Sequence, residues 1–200
     1  MPAVPTVLTP NGGEVIKGGS IYNITWTPTT DVNLGATPIT IQYALDGTTF
    51  TNIAVNETND GSFPWTVPLD NTTNAKIRIT ATDLAGNTAS DVSNSAFTID
   101  SIAPTIPAAN IVGTTVENGQ DTIAITFSEP VVAVDGTLDA TEFTAGESPD
   151  NTALSLTGAA FNYSGNTLTI TLASGVNLKN GNVIAITPVL NAVKDPAGNF

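Results

Sequence analysis

Apolar and polar residues alternate with a period of two along much of this chain. Ile39, Ile41 and Tyr43 alternate with Thr40 and Gln42, and Ile77 and Ile79 with Lys76, Arg78 and Thr80. The pattern returns as Ile123, Ile125 and Phe127 against Thr122, Ala124 and Thr126, then as Leu168, Ile170 and Leu172 against Thr167, Thr169 and Thr171. Successive side chains of a strand point to opposite faces, so each run predicts a half-buried β-strand. Turn formers punctuate the runs: Asn11-Gly12-Gly13, Asp46-Gly47, Asp60-Gly61, Ala85-Gly86-Asn87, Ser164-Gly165-Asn166 and Asn180-Gly181. No long segment carries the helical period. Many short strands with frequent turns predict an all-β sandwich or barrel. One exception is Asp139-Ala140-Thr141-Glu142-Phe143, where an Asp followed three residues later by Glu has the form of a capping box and predicts a single helical turn in a crossover.

Length divides this pattern in two. The chain has 200 residues, and sandwich modules run to about 100 residues each. The best-marked break follows Phe97-Thr98-Ile99, where Asp100-Ser101-Ile102-Ala103-Pro104-Thr105 leads to Pro107. Proline fixes φ and removes a donor, so this stretch predicts a short, stiff linker between a domain at 1–100 and a domain at 101–200. No apolar run approaches the roughly 18 residues that a membrane helix needs, so no membrane insertion is expected. The opening MPAVPTVLTPNGG lacks the basic and apolar regions of a signal peptide and reads as the interior of a longer chain.

Composition narrows the chemistry. There is no cysteine and no histidine, which removes disulfides, thiol nucleophiles, thiolate zinc sites and the usual general base. Five Lys and Arg stand against 18 Asp and Glu, a net charge of −13 that repels phosphate backbones and anionic lipids, so nucleic acid is not an expected partner. Without Cys or His, a nucleophile and base can be assembled only from carboxylates, Lys or Tyr, and a non-enzyme is expected.

One motif occurs twice, each time after a strand-like segment near a domain's end: Asp83-Leu84-Ala85-Gly86-Asn87 and Asp195-Pro196-Ala197-Gly198-Asn199. With Pro10-Asn11-Gly12-Gly13-Glu14, Ile24-Thr25-Trp26, Asp46-Gly47 and Trp65-Thr66-Val67-Pro68, the first domain resembles fibronectin-III/Ig-like modules of secreted microbial proteins. With Phe127-Ser128-Glu129-Pro130-Val131 and Leu178 followed by Gly181, the second resembles bacterial Ig-like repeats of S-layer proteins and large adhesins. The resemblance implies two tandem immunoglobulin-like antiparallel β-sandwich domains at a cell surface. It is specific for fold and weak for function, because such modules serve as stalks, lattice units and sugar binders alike. Domain 1 continues for a strand beyond its turn, Thr88 to Ile99, whereas the sequence of domain 2 stops at Phe200, so a last strand is expected to be missing or supplied from elsewhere. The extended segment Pro2 to Leu8 is the obvious donor within the chain.

Calcium is the cofactor this residue inventory invites, since it takes several oxygen ligands from Asp, Glu, Asn and backbone carbonyls in flexible geometry. In an Ig-like sandwich, the loop after the second strand and the late Asp-x-Ala-Gly-Asn turn share the pole where the chain enters. For domain 2 that gathers Glu129, Asp195 and Asn199, with Asp100 in the entering linker. For domain 1 it gathers Asp83 and Asn87, with Asp31 nearby, as a less complete and weaker site. Against a metal stands the turn chemistry itself: Asp and Asn stabilise tight turns by side-chain hydrogen bonds, which accounts for Asp83 and Asn87 but not for Glu129 and Asp100.

Other groups carry weaker signals. Trp26, Trp65, Phe50, Phe63 and Tyr43 are either a sugar-binding platform or core, and alternating large aromatics usually fill cores. Asp135, Asp139, Glu142, Glu147 and Asp150 read as a solvated loop rather than a second metal site or a glycosidase pair. The sequons at Asn23, Asn56, Asn71 and Asn162 would accept glycans only in a glycosylating host. The expected function is a calcium-binding structural or adhesive module of a secreted or surface protein, an adhesin, S-layer or filament subunit. Its partners would be neighbouring Ig-like domains or identical subunits, with surface glycans as a further class. The alternative is a carbohydrate-binding or spacer module of a secreted hydrolase.

Overall fold

The structure, a computed structural model, describes residues 1–107, 111–115, 119–148, 152–180 and 182–200. It divides into two compact units, Met1–Ser101 and Ile102–Phe200.

Unit 1 contains β1 (Thr6–Thr9), β2 (Val15–Lys17), β3 (Ile21–Thr27), β4 (Leu34–Ala44), β5 (Thr51–Glu57), β6 (Ser62–Thr66), β7 (Thr72–Asp83), β8 (Thr88–Val92) and β9 (Phe97–Asp100). One sheet has the order β1-β3-β6 and the other the order β2-β9-β7-β4-β5, with β8 also paired to β7. The alternation dictates which face each strand buries. Ile39 and Ile41 of β4 and Ile77 and Ile79 of β7 are fully buried, and the register sets Ile41 opposite Ile79 and Tyr43 opposite Ile77. They meet Ile24, Trp26 and Trp65 of the other sheet in one core. A fully buried aliphatic or aromatic side chain contributes about 1.5–3 kcal/mol by leaving water. Loop chemistry supports the frame: Glu14 accepts hydrogen bonds from the amides of Asn11 and Gly12, both at 2.7 Å. A Cβ on Gly12 would sit 2.5 Å from the Ser95 Cβ, so only glycine fits there.

Unit 2 contains β10 (Ile111–Thr114), β11 (Thr122–Thr126), β12 (Val132–Ala133), β13 (Phe143–Ser148), β14 (Thr152–Leu154), β15 (Ala160–Ser164), β16 (Thr167–Thr171), β17 (Val183–Pro188) and β18 (Val193–Lys194). Among the described residues they form sheets ordered β10-β11-β16-β15 and β14-β13-β17 and a small ladder β12-β18. Ile123 pairs with Ile170 and Ile125 with Leu168, so buried apolar side chains are cross-strand neighbours. Phe127, Phe143, Leu172 and Ile186 complete the core.

The two units are β-sandwiches whose strands pair antiparallel except for β2, which runs parallel to β9, and no α-helix occurs among the described residues. The helical turn expected at residues 139–143 is a plain turn leading into β13. One capping-box bond forms, the Asp139 amide donating to Glu142 Oε2 at 2.6 Å, while Asp139 Oδ1 accepts the Thr141 amide at 2.8 Å in an Asx turn. They close a loop because β13 begins at Phe143, whose apolar side chain is claimed by the sheet. The segment Pro2 to Leu8 is not a spare strand. β1 pairs with β3 in its own sheet, and the Val7 amide donates to Asp91 Oδ2 at 2.8 Å. Among the described residues no helix is long and apolar enough to cross a membrane.

Candidate functional site

Each Asp-x-Ala-Gly-Asn turn is built around its own aspartate. Asp195 is fully buried. Its Oδ1 accepts the amides of Gly198 at 2.6 Å and Asn199 at 2.9 Å, and its Oδ2 accepts the Asn199 side-chain amide at 2.7 Å. Asp83 repeats the arrangement: Oδ1 accepts the amides of Ala85 and Asn87, and Oδ2 accepts the Asn87 side-chain amide at 2.8 Å. Gly86 and Gly198 have φ of 84° and 95°. A Cβ at either would touch nothing within 4 Å, so the backbone angle alone calls for glycine. The Asn87 hydrogen bond, with the backbone amides, holds the Asp83 carboxyl below the usual carboxylate range against the opposing effect of burial.

In unit 2 the turn does not stand alone. The ladder pairs Val132 with Lys194 and Ala133 with Val193, which draws the loop carrying Glu129 against the turn carrying Asp195. The Val131 amide donates to the Tyr163 hydroxyl at 2.7 Å. Thr105 in the entering segment is clamped beside the same loop: its amide donates to Ser128 Oγ, and its carbonyl accepts the Ser128 amide, both at 2.9 Å. A carboxylate oxygen of half-buried Glu129 thereby lies within 4.8 Å of one of Asp195. Two like charges at that separation repel by about 1–3 kcal/mol at effective dielectrics between water and a protein surface. Asn199 is buried beside them at 5% exposure, with its amide nitrogen turned to Asp195. Asp100 is the half-buried last residue of β9.

The corresponding pole of unit 1 gathers Asp31, Asp83 and Asn87. The loop is fastened to the turn by the Leu84 amide donating to the Asn33 carbonyl at 3.0 Å, while the Asn33 amide donates to Asp31 Oδ1 at 2.7 Å. The backbone nitrogen of Met1 lies 3.4 Å from Asp31 Oδ2 and 3.7 Å from Asp83 Oδ2, two carboxylates whose side chains are 10% and 2% exposed. Asn87, unlike Asn199, is exposed, so this pole is the more open of the two.

The aromatic residues divide. Trp26 and Trp65 are buried at 1% and 4% exposure. Trp65 packs on Tyr43, centroids 5.8 Å apart, and on Phe97, while the Arg78 guanidinium lies over the Phe50 ring at 4.2 Å. Tyr43, Phe63 and Trp65 nonetheless line a cleft of ≈ 370 Å³ with Ile53, Pro64 and Pro68. Of the acidic residues of unit 2 read as a solvated loop, Asp135 and Asp139 do serve their loop, accepting the amides of Thr137 and Thr141, but Glu142 and Glu147 are buried: Glu142 accepts the Asp139 amide, and Glu147, in β13, accepts that of Lys179 from 32 residues away. Asp150 and Gly181 lie outside the described residues. Sequence reasoning missed Asp121, which is 3% exposed and accepts the Leu178 amide at 2.7 Å. It also missed the Thr105–Ser128 clamp and the Tyr163 hydroxyl. None has a local motif, because each joins segments far apart in sequence.

No family model matches the sequence, and no curated protein matches it. Among solved structures, the chain is similar to the FN1–FN3 domains of chicken CNTN1 at 14% identity and a TM-score of 0.35, over 98% of this chain and 63% of that one. It is similar to the fibronectin(III)-like modules of Clostridium thermocellum CbhA at 12% identity and a TM-score of 0.35, over 96% and 89%. A Bacteroides ovatus SGBP-B of a mixed-linkage glucan utilization locus, solved with a mixed-linkage heptasaccharide, matches at 12% identity and a TM-score of 0.30, over 94% and 45%. The chain spans less than two thirds of the first and third of these. In its strands, sheet orders and buried faces, the chain is a pair of mainly antiparallel, all-β sandwich units.

Proposed function

We propose that this chain is a non-catalytic, calcium-binding structural segment of a secreted or cell-surface protein, with the adhesins, S-layers and surface filaments as its functional class. The observation that carries the reading is the approach of Glu129 to fully buried Asp195 within 4.8 Å. Folding brings these carboxylates together at a cost, and a divalent cation converts that repulsion into attraction. In unit 2, Glu129 and Asp195 supply hard oxygen ligands, and Asn199 positions Asp195. In unit 1, Asp31 and Asp83 form the weaker site, with Asn87 holding Asp83. Calcium sites of extracellular modules have dissociation constants of about 10⁻⁴ to 10⁻³ M, suited to millimolar calcium outside cells.

The test is calorimetric titration of the full chain with calcium. Binding in the millimolar range or tighter, largely lost in Asp195→Ala and weakened in Glu129→Gln, supports the reading. Heats indistinguishable from dilution up to 10 mM, with melting unchanged by chelator, would refute it.

A second reading, carbohydrate binding, is favoured by the cleft at Tyr43, Phe63 and Trp65. Affinity electrophoresis in soluble polysaccharides separates the two, because retardation abolished by Tyr43→Ala and indifferent to calcium belongs to the cleft.

A further inference from the structure

Of the five Lys and Arg side chains that stand against 18 carboxylates in this chain, two lie on one strand of unit 1. Alternation along β7 turns Ala75, Ile77, Ile79 and Ala81 into the core, so Lys76, Arg78 and Thr80 face outward, each half-buried. The register extends this outer face sideways. Gln42 lies opposite Arg78 and Asn52 opposite Gln42, while Thr40, Thr80 and Ser90 form the next row. In so acidic a chain a surface cation is expected to meet a carboxylate. Among the described residues neither Lys76 nor Arg78 does.

Uncharged groups hold Arg78 instead. Its Nε donates to Gln42 Oε1 at 2.7 Å, and Gln42 Nε2 in turn donates to Asn52 Oδ1 at 2.8 Å. The guanidinium carbon lies over the Phe50 ring, 4.2 Å from its centre. A guanidinium stacked in this way, with its Nε already engaged, loses little further freedom when its two Nη nitrogens close on a planar oxyanion. Those nitrogens have no partner among the described residues. Lys76 stands two residues along the same face, about 7 Å away along the strand. The Asn52 amide and the hydroxyls of Thr40, Thr80 and Ser90 surround the pair with neutral polar groups.

We propose that Arg78 and Lys76 form a carboxylate-binding site on the outer face of unit 1, and that its ligand is an acidic sugar within a glycan. The Nη nitrogens of Arg78 take the carboxylate bidentately, Lys76 adds a second positive charge, and Gln42 positions Arg78. The hydroxyls and the Asn52 amide then meet sugar hydroxyls. Two features favour a glycan over an acidic peptide. The groups around the cations are small and polar, and the adjoining strand β5 has two register shifts against β4, which disfavour pairing with an extended peptide. A net charge of −13 repels a dense polyanion, so the carboxylates of the glycan are spaced by neutral sugars. The site shares no residue with the Tyr43 cleft, and no carboxylate of the chain takes part, so it is independent of both readings above.

The probe is a hyaluronan hexasaccharide, in which glucuronic acid alternates with neutral N-acetylglucosamine. It is titrated into the full chain and followed by heteronuclear NMR that includes the arginine Nε–H. The expected result is shifts confined to β4, β5, β7 and β8 and to the Arg78 Nε–H, with a dissociation constant of about 1 mM. That constant rises about tenfold in Arg78→Lys, which keeps the charge and loses the fork. Lys76→Gln weakens binding about threefold, and Tyr43→Ala leaves it unchanged. The same hexasaccharide with its carboxyls reduced to alcohols gives no shifts. Absence of shifts up to about 10 mM sugar, equal binding of the reduced sugar, or unchanged affinity in both Arg78→Lys and Lys76→Gln overturns the proposal. So does tighter binding of a peptide of alternating Glu and Gly, because the ligand is then a protein.

Discussion

At the scale of the residue, the carboxylates do the local work. Asp83 is held below the usual carboxylate range chiefly by the Asn87 amide. Asp46, Asp60 and Asp139 are lowered by neighbouring threonine and serine donors. A carboxyl whose folded value is depressed contributes stability that is complete above its unfolded value, about 3.9 for Asp, and is lost as pH falls through the folded value. Asp83→Asn therefore lowers the melting temperature of unit 1 at pH 7, and the gap to the parent closes as pH falls through and below the ordinary carboxylate range. Melting followed by circular dichroism between pH 2 and 7 checks this. Parallel curves would show that the Asp83 charge has no part in folding. The two turns were readable from sequence because their bonds span only two to four residues. Whether each aspartate would be buried was not, since burial depends on the loop packed against it.

At the scale of the element, alternation was enough to find the strands, and long-range polar bonds hold the loops between them. Tyr163 of β15 receives the Val131 amide in the loop that carries Glu129. Tyr163→Phe leaves that partly buried amide without this acceptor and costs about 1–3 kcal/mol. On the proposed calcium reading, loosening the Glu129 loop also weakens binding of the ion several-fold, whereas a purely structural loss would leave the affinity of the folded chain unchanged. Urea denaturation and calorimetric titration read the two effects separately. Asp121 is the sharper case for stability, because the Leu178 amide it accepts is buried and lies 57 residues away. Asp121→Ala costs about 1–3 kcal/mol in unit 2 and leaves the melting of unit 1 unchanged. The helical turn expected at Asp139 shows the limit of local reading: the Glu142 half of the capping box forms, but β13 takes Phe143 for its sheet.

For the whole molecule, two units with separate cores predict two thermal transitions in calorimetry of the full chain. The proposed calcium sites predict a larger rise for the transition of unit 2 than for that of unit 1, because Asp195 and Asn199 are buried at the pole of unit 2 whereas Asn87 lies exposed in unit 1. At 10 mM calcium and a dissociation constant near 0.1 mM, mass action adds about 2.7 kcal/mol, a rise on the order of 10 °C for a unit of about 100 residues. A larger shift in unit 1, or equal shifts with magnesium and calcium, would contradict the assignment.

By itself the sequence determined what is short-range or periodic. Period-2 alternation at Ile39–Tyr43, Ile77–Ile79, Ile123–Phe127 and Leu168–Leu172 specified strands and their buried faces, because the pleat leaves each side chain only two directions. Glycine after Asp83 and Asp195 specified two tight turns, because few other residues accept positive φ there. The absence of Cys and His removed whole classes of chemistry before any fold was known. Tertiary structure decided the rest, because those outcomes depend on which distant segments share a surface. It brought Glu129 within 4.8 Å of Asp195 by pairing β12 with β18, and it sank Trp26 and Trp65 into a core. It committed β1 to its own sheet. A strand's pattern states which face is apolar, but only the assembled sheet states which edge is taken.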